Sequence, residues 1–193
     1  MKGESLKAAY PQDMMRVCIS GKPYGLTEQH NLKGAPLQNQ NRIGACLVAG
    51  VRPGIHKRPP LDLPTYAPRF KPTSRIYAAW DWIDRATAEW HPHWENGDTI
   101  KTASSVNGEH YVSFRLQRGK RLLLVATNYE KQPATITITL DPNKLGFNGK
   151  TELVAEDAIT GDKLLVENKQ LRLDCGSELY RYVKIGPADT MSK

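Results

Sequence analysis

The sequence predicts a mainly β fold: an eight-stranded antiparallel β-sandwich over residues 99–186, preceded by an incomplete α/β segment. Three observations carry this expectation. From Thr99 to Ile185 the apolar residues recur with a period of two. Turn residues punctuate that stretch at short intervals, leaving no room for a helix between strands. Before Thr99 the pattern changes, and all four tryptophans, Trp80, Trp82, Trp90 and Trp94, fall within fifteen residues at the change.

The strands come first in the argument. Val112, Phe114 and Leu116 alternate with Ser113 and Arg115, Ile136, Ile138 and Leu140 with threonines, and Leu171 and Leu173 with Arg172 and Asp174. Alternation puts one face of each strand on a core and the other in water. Leu122 to Ala126 is apolar on both faces and is predicted as a central strand. Asn107-Gly108, Arg118-Gly119, Asn148-Gly149 and Thr160-Gly161-Asp162 supply residues that tolerate the positive φ of tight turns. The strands are expected near 99–104, 110–117, 120–127, 134–140, 151–156, 163–166, 170–175 and 178–185, with 187–193 as a flexible tail.

Residues 1–86 hold less regular structure. Residues 37–50 suit a helix with an apolar face of Leu37, Ile43, Leu47 and Val48, ended by Gly50 with Pro53 beyond. A second helix is predicted from a Ser74 cap, with Ile76, Trp80 and Ile83 at helical spacing, Trp82 flanking and Arg85 in its last turn. The six prolines from Pro53 to Pro72 argue for an extended or looped connector. Met14, Met15, Val17 and Ile19 could supply one buried strand. One strand closes no parallel sheet, so residues 1–86 read as the end of something larger.

Charge and cysteine usage narrow the function. The net charge is +7, and residues 1–75 carry twelve Lys and Arg against four acids while the remainder has fifteen against sixteen. The basic residues are scattered singly apart from Lys57-Arg58, with no interleaved aromatics, so solvated surface is expected rather than a nucleic-acid or polyanion interface. Cys18, Cys46 and Cys175 fit neither a disulfide framework nor a metal knuckle and are expected as buried thiols. No cofactor is expected. The longest apolar run of the first half, Ile43–Val51, is far shorter than the roughly 20 residues that span a bilayer, so no membrane partner is expected. Met1–Lys7 has no signal-peptide core; a place outside the cytoplasm is expected only if the chain is part of a longer precursor.

Glu152, Glu156, Asp157 and Asp162 lie at strand ends and turns, where carboxylates are expected to stay solvated. His91-Pro-His93 with Glu95 has too few ligands for a structural zinc site, so a packed or solvated pair is expected and no metal.

The order of helix, Trp-rich bend and β domain resembles the C-terminal portion of bacterial glycoside hydrolases in which a (β/α)8 barrel of the TIM type precedes a small β-sandwich. Ala79-Trp-Asp-Trp-Ile-Asp84 resembles the last barrel helix, and Ala88-Glu-Trp-His-Pro-His-Trp-Glu-Asn96 the bend. Arg121–Asn128 resembles a strand of the appended domain that ends in Asn, Glu156–Gly161 its turn after an aspartate, and Gly176–Ile185 its closing strand. The resemblance covers residues 76–185 fairly well and implies hydrolysis of glycosidic bonds by two carboxylates. It implies residues 87–98 as the junction, carbohydrate as the partner of the complete enzyme, and the rest of the barrel, with the catalytic pair, upstream of this chain. Tyr24–Asn31 is the best remnant of an active-site loop, since Glu28 and His30 could hydrogen-bond a sugar; the plainer account is a polar surface loop. Trp90 and Trp94 could stack on sugar rings, but their place at the junction favours packing between units.

Overall fold

The architecture is taken from a computed structural model that describes residues 30–31, 43–50, 53–54 and 67–191, with side chains described for 43–50 and 74–191. Strand β1 (His30–Asn31), helix α1 (43–48), strand β2 (Pro53–Gly54) and helix α2 (Ala67–Trp82) come first. Ten strands follow: β3 (Glu89–His91), β4 (Ile100–Ser104), β5 (His110–Gln117), β6 (Arg121–Asn128), β7 (Ala134–Leu140), β8 (Leu153–Asp157), β9 (Lys163–Leu164), β10 (Val166–Glu167), β11 (Gln170–Cys175) and β12 (Tyr180–Pro187).

These ten strands make two antiparallel sheets, one in the order β3-β5-β6-β12-β8-β9 and one in the order β10-β11-β7-β4. Their alternating apolar residues meet in a shared core. Phe114 and Leu116 of β5 and Leu122 and Leu124 of β6 pack with Ile136, Ile138 and Leu140 of β7 and Leu171 and Leu173 of β11. Each such side chain, removed from water, contributes about 1.5–3 kcal/mol.

β6 has the two apolar faces expected of it. Leu122, Leu124 and Ala126 face the inter-sheet core, while Leu123 and Val125 turn to a second cluster with Tyr182 of β12. That cluster is completed by Ile43, Leu47 and Val48 of α1 and by Ile76, Ala79, Trp80 and Trp82 of α2. The helices therefore form a layer over the outer face of the larger sheet. Polar bonds fix the layer: the Ser113 hydroxyl of β5 donates to the Val48 carbonyl at 2.7 Å, and Arg121 Nη1 donates to the Trp82 carbonyl. Both carbonyls lie in helix last turns, where the helix itself offers no donor.

The strand count is ten where eight were expected, for two physical reasons. Residues 163–166 divide at Leu165, which is 69% exposed. Lys163–Leu164 pairs with β8 and Val166–Glu167 with β11, so the chain steps from one sheet to the other while Leu164 and Val166 keep contact with the core. The second addition, β3, lies inside the expected junction 87–98. Its three residues pair with Phe114–Leu116 and are too few to display a period before Pro92.

Helix α2 begins at Ala67, not at Ser74, which sits inside it. Pro68 stands in the first turn, where amides have no helical partner, and Pro72 forfeits only one backbone bond, to the Pro68 carbonyl. The extended or looped connector expected for Pro53–Pro72 therefore does not hold from Ala67 on, because a helix tolerates proline in its first turn. At the other end the helix stops in a Schellman arrangement: Arg85 N–H donates to Trp80 O at 3.0 Å, and Asp84 N–H to Asp81 O at 3.1 Å. Asp84 takes the left-handed position, φ 48°, that glycine usually fills.

β1 and β2 pair in parallel, His30 opposite Pro53 and Asn31 opposite Gly54, with α1 between them. α1 ends where Gly50 adopts φ 74°. The expected strand at Met14–Ile19 and Leu37 of the expected first helix lie outside the described residues. Past β12 the chain forms a 3-10 turn, Ala188–Thr190, whose Thr190 carbonyl accepts a hydrogen bond from the Trp82 indole at 3.0 Å. Met191 packs on the same helical cluster.

Candidate functional site

The four sequence candidates do not converge. Glu28 lies outside the described residues, and of His30 only the backbone in β1 is described.

Trp90 and Trp94 are half-buried and engaged. The Arg115 guanidinium lies 4.7 Å from the Trp90 ring centroid, and a Cβ on Gly50 would come within 2.9 Å of Trp90 Cζ2. The Trp90 ring thus lies against the end of α1. Burial, then the neighbouring Arg85, lowers the Arg115 pKa to about 10. The Trp94 indole donates to Glu95 Oε1 at 3.0 Å, and its ring meets His93 edge-on at 4.8 Å. His93 in turn touches Tyr111, which touches Tyr129.

The two histidines of the His-Pro-His segment point to different places. His91 stacks on Phe114 at 4.5 Å with ring planes 9° apart, and Phe114 belongs to the inter-sheet core. His93 meets Tyr111, which packs on the helical side of the same strand. Glu89 holds His91 Nε2 at 3.3 Å and Arg118 Nε at 3.1 Å, and the Arg118 bond holds its carboxyl below the usual range. Imidazoles on opposite faces of one strand do not share an ion, and no group of three His, Cys, Asp or Glu suited to a metal occurs among the described residues.

One carboxylate departs from its expected solvated state. Asp157 is 2% exposed. Its Oδ1 accepts the N–H groups of Ile159 and Thr160 at 2.9 and 3.0 Å, and its Oδ2 accepts from Arg181 Nη1 at 3.2 Å. The reason is local: an Asp opening the β8–β9 hairpin can fold over its own turn and satisfy the next amides. The hairpin reading of Asp157–Asp162 holds, closed by Asp157 N–H to Asp162 O at 2.9 Å. A paired, amide-bound carboxylate of this kind braces a turn and is spent for acid–base work.

Sequence reasoning missed the polar residues that organise the ends of the sheets. Asn128 is fully buried, and its Nδ2 donates to Gln132 O at 2.8 Å and Gly176 O at 3.0 Å while its Oδ1 accepts from Glu130 N–H at 3.0 Å. Asn96 Nδ2 donates to the Val112 carbonyl. The available signal was an asparagine closing an otherwise apolar strand.

Cys46 and Cys175 are buried, as expected; Cys18 lies outside the described residues. Burial pushes the Cys175 thiol up to about 12, and burial likewise raises the phenols of Tyr129, Tyr180 and Tyr182. A group with a raised folded pKa keeps its proton in the fold, while the unfolded chain releases it at about 8.5–10. Its stabilisation is therefore full below about pH 8.5 and is lost as pH rises through about 9–12. Urea midpoints should be level from pH 7 to 8 and fall steadily above about pH 9. In the same window the Cys175 peptide should resist iodoacetamide at pH 8 in the folded protein and be alkylated after denaturation.

Fold and site together define a mainly β protein: two antiparallel sheets carrying a helical layer, with no assembled catalytic constellation among the described residues. No protein-family model matches the chain, and no curated protein matches it. Among solved structures it is similar to a GH27 β-L-arabinopyranosidase from Geobacillus stearothermophilus, at 17% identity and TM-score 0.34 over 48% of this chain and 20% of that one. It is also similar to a GH42 exo-carrageenase from Bacteroides ovatus, at 11% identity and TM-score 0.32 over 60% of this chain and 13% of that one. An Anoxybacillus alpha-amylase is similar at 10% identity and TM-score 0.44 over 83% of this chain and 37% of that one. The chain spans about a fifth of the length of the arabinopyranosidase.

Proposed function

We propose that this chain is the C-terminal part of a carbohydrate-active glycoside hydrolase, with residues 99–186 as a structural β-sandwich and no catalysis by the chain alone. In this reading residues 1–86 are the end of a (β/α)8 barrel and residues 87–98 the junction. The observation that carries it is the apolar seat of α1 and α2 on the outer face of the six-stranded sheet, where Trp80, Trp82 and Ile83 are buried against Leu123, Val125 and Tyr182. A sheet that is apolar on both faces is built to carry another layer, and here that layer is helical. The parallel pairing of β1 with β2, with α1 between them in the chain, fits the βαβ pattern of barrels and supports the reading. The resemblance of Ala79–Asp84 to a last barrel helix supports the same reading.

The catalytic carboxylates would then stand at the C-terminal ends of barrel strands, and Glu28 and His30 are substrate-binding candidates that this chain offers. The chain incubated with aryl glycosides and polysaccharides should release no sugar, and Trp90→Ala or Trp94→Ala should lower the melting temperature without removing any saturable polysaccharide binding. Robust turnover lost in Glu28→Gln would overturn the non-catalytic reading. Polysaccharide binding abolished in either tryptophan variant would instead make the chain a carbohydrate-binding module.

A further inference from the structure

Asn96, Asn107 and Asn148 each stand directly before a glycine. Glycine has no side chain to shield its backbone nitrogen, so that nitrogen can attack the carboxamide carbon of the asparagine before it, and asparagine is already among the thermolabile residues. The three pairs are alike in sequence. The fold makes them unlike.

Two of the three are held. Asn96 is buried, its Nδ2 donates to the Val112 carbonyl, and its own main-chain carbonyl accepts the N–H groups of Thr99 and Ile100 at 3.0 and 3.1 Å. Its carboxamide can neither turn onto Gly97 nor meet water. Asn148 is exposed, but its Oδ1 accepts the Lys150 N–H at 3.1 Å and its main-chain carbonyl accepts the Thr151 N–H at 2.8 Å. Side chain and backbone are both fixed by that turn, and bringing Cγ onto the Gly149 nitrogen disturbs both bonds.

Asn107 differs on each count. It is exposed on the connection from β4 to β5, and among the described residues neither its carboxamide nor the Gly108 N–H makes a hydrogen bond. The connection is anchored on either side of the pair. The Val106 N–H donates to Ser104 Oγ at 3.3 Å, and the Val106 carbonyl accepts from His110 Nε2 at 2.9 Å. The Glu109 N–H donates to Glu130 Oε1 at 2.9 Å, and the Glu109 carbonyl accepts the Tyr129 N–H at 3.0 Å. Asn107 and Gly108 are thus the unheld tip of a fixed loop. The fold also requires the glycine: Gly108 adopts φ 146°, and a Cβ there would meet the Glu130 carboxylate at 2.5 Å.

We propose that Asn107 is a site of spontaneous deamidation in the folded protein, selected over Asn96 and Asn148 by its freedom at the tip of the β4–β5 loop. The Gly108 nitrogen forms a bond to Asn107 Cγ, the Cγ–Nδ2 bond breaks, and ammonia leaves with the proton that the Gly108 nitrogen sheds. Water then opens the resulting succinimide at either carbonyl, giving aspartate or isoaspartate at position 107. No oxidant or cofactor enters, and the net change is ammonia exchanged for water. The product adds one negative charge to a loop that already carries Glu109 and meets Glu130, and the isoaspartyl form lengthens its backbone by one methylene.

The test incubates the folded chain in mildly alkaline buffer at physiological temperature and follows the three Asn-Gly peptides by mass spectrometry, beside a sample denatured in guanidinium chloride. In the folded chain Asn107 should react about tenfold faster than Asn148, the effect of one good hydrogen bond that the slower site must release, and Asn96 should stay intact. In the denatured chain the three should react at similar rates. Asn107→Ser, which has no hydrogen bond to lose, should leave the melting temperature little changed and remove the main acidic band that isoelectric focusing finds in the incubated parent. Asn107 reacting no faster than Asn148 in the folded chain would overturn the proposal. So would a lead for Asn107 that is as large after denaturation, or a main acidic band that persists in Asn107→Ser.

Discussion

Trp82→Ala is expected to destabilise the chain by about 3–5 kcal/mol, the range for deleting a buried tryptophan. Trp82 is 4% exposed and belongs to three interfaces at once. Its ring packs in the helical cluster against the six-stranded sheet, with the Arg121 guanidinium 5.2 Å and the Lys184 ammonium 5.5 Å from its centroid. Its indole N–H ties down Thr190, and its carbonyl receives Arg121. For a chain of this length the loss corresponds to a melting temperature lower by about 10 °C. Trp82→Phe, which keeps most of the ring and loses the N–H bond to Thr190, should cost about 1–2 kcal/mol. A loss below about 1 kcal/mol for Trp82→Ala in urea unfolding would mean that the helical layer is only loosely applied to the sheet.

Asn128→Ala is the second large effect. The side chain is fully buried between the turn after β6 and the β11–β12 hairpin, and it serves three carbonyl acceptors, those of Gln132, Gly176 and, at 3.4 Å, Cys175, and one N–H donor. Truncation leaves those backbone groups buried with no water to replace the amide. Each stranded group costs about 1–3 kcal/mol before relaxation, so a net loss of about 3 kcal/mol is expected. Asn128→Asp is nearly the same size but cannot donate to the Gln132 and Gly176 carbonyls, so it should be at least as damaging. Equal stability of Asn128→Asp and the parent would show that the amide donates nothing that matters.

The contrast between these two residues marks what was legible in the sequence. Leu122–Ala126 advertised a central strand because a two-faced apolar run has few other homes, and β6 has a core on each side. Short-range chemistry was equally visible: Asp157–Asp162 closes a hairpin through its own backbone. What escaped was either too short or too distant. β3 has three residues and no period to detect. The Ser113 bond to Val48 spans 65 positions and the Asn128 bond to Gly176 spans 48, and no local pattern encodes a partner so remote. Of the partners that bury Asp157, the amides of its own turn are local, but Arg181 stands 24 positions away. The division of labour among the four tryptophans needed coordinates. Trp80 and Trp82 are in the helical cluster, whereas Trp90 rests on the end of α1 and Trp94 on His93 and Glu95.

A structural role for the sheets requires that the helical segment and the two sheets form one cooperative body, since a sheet that supports nothing has no such role to play. Native-state hydrogen exchange under conditions that report opening equilibria measures this directly. The amides of Ala79, Trp80 and Trp82 are expected to exchange with opening free energies close to those of Leu123 and Val125 in β6, because the same apolar contacts must break to expose either set. Rapid exchange throughout α2 while β6 stays protected would contradict it, and would leave the helices as a separate element resting beside the sheets.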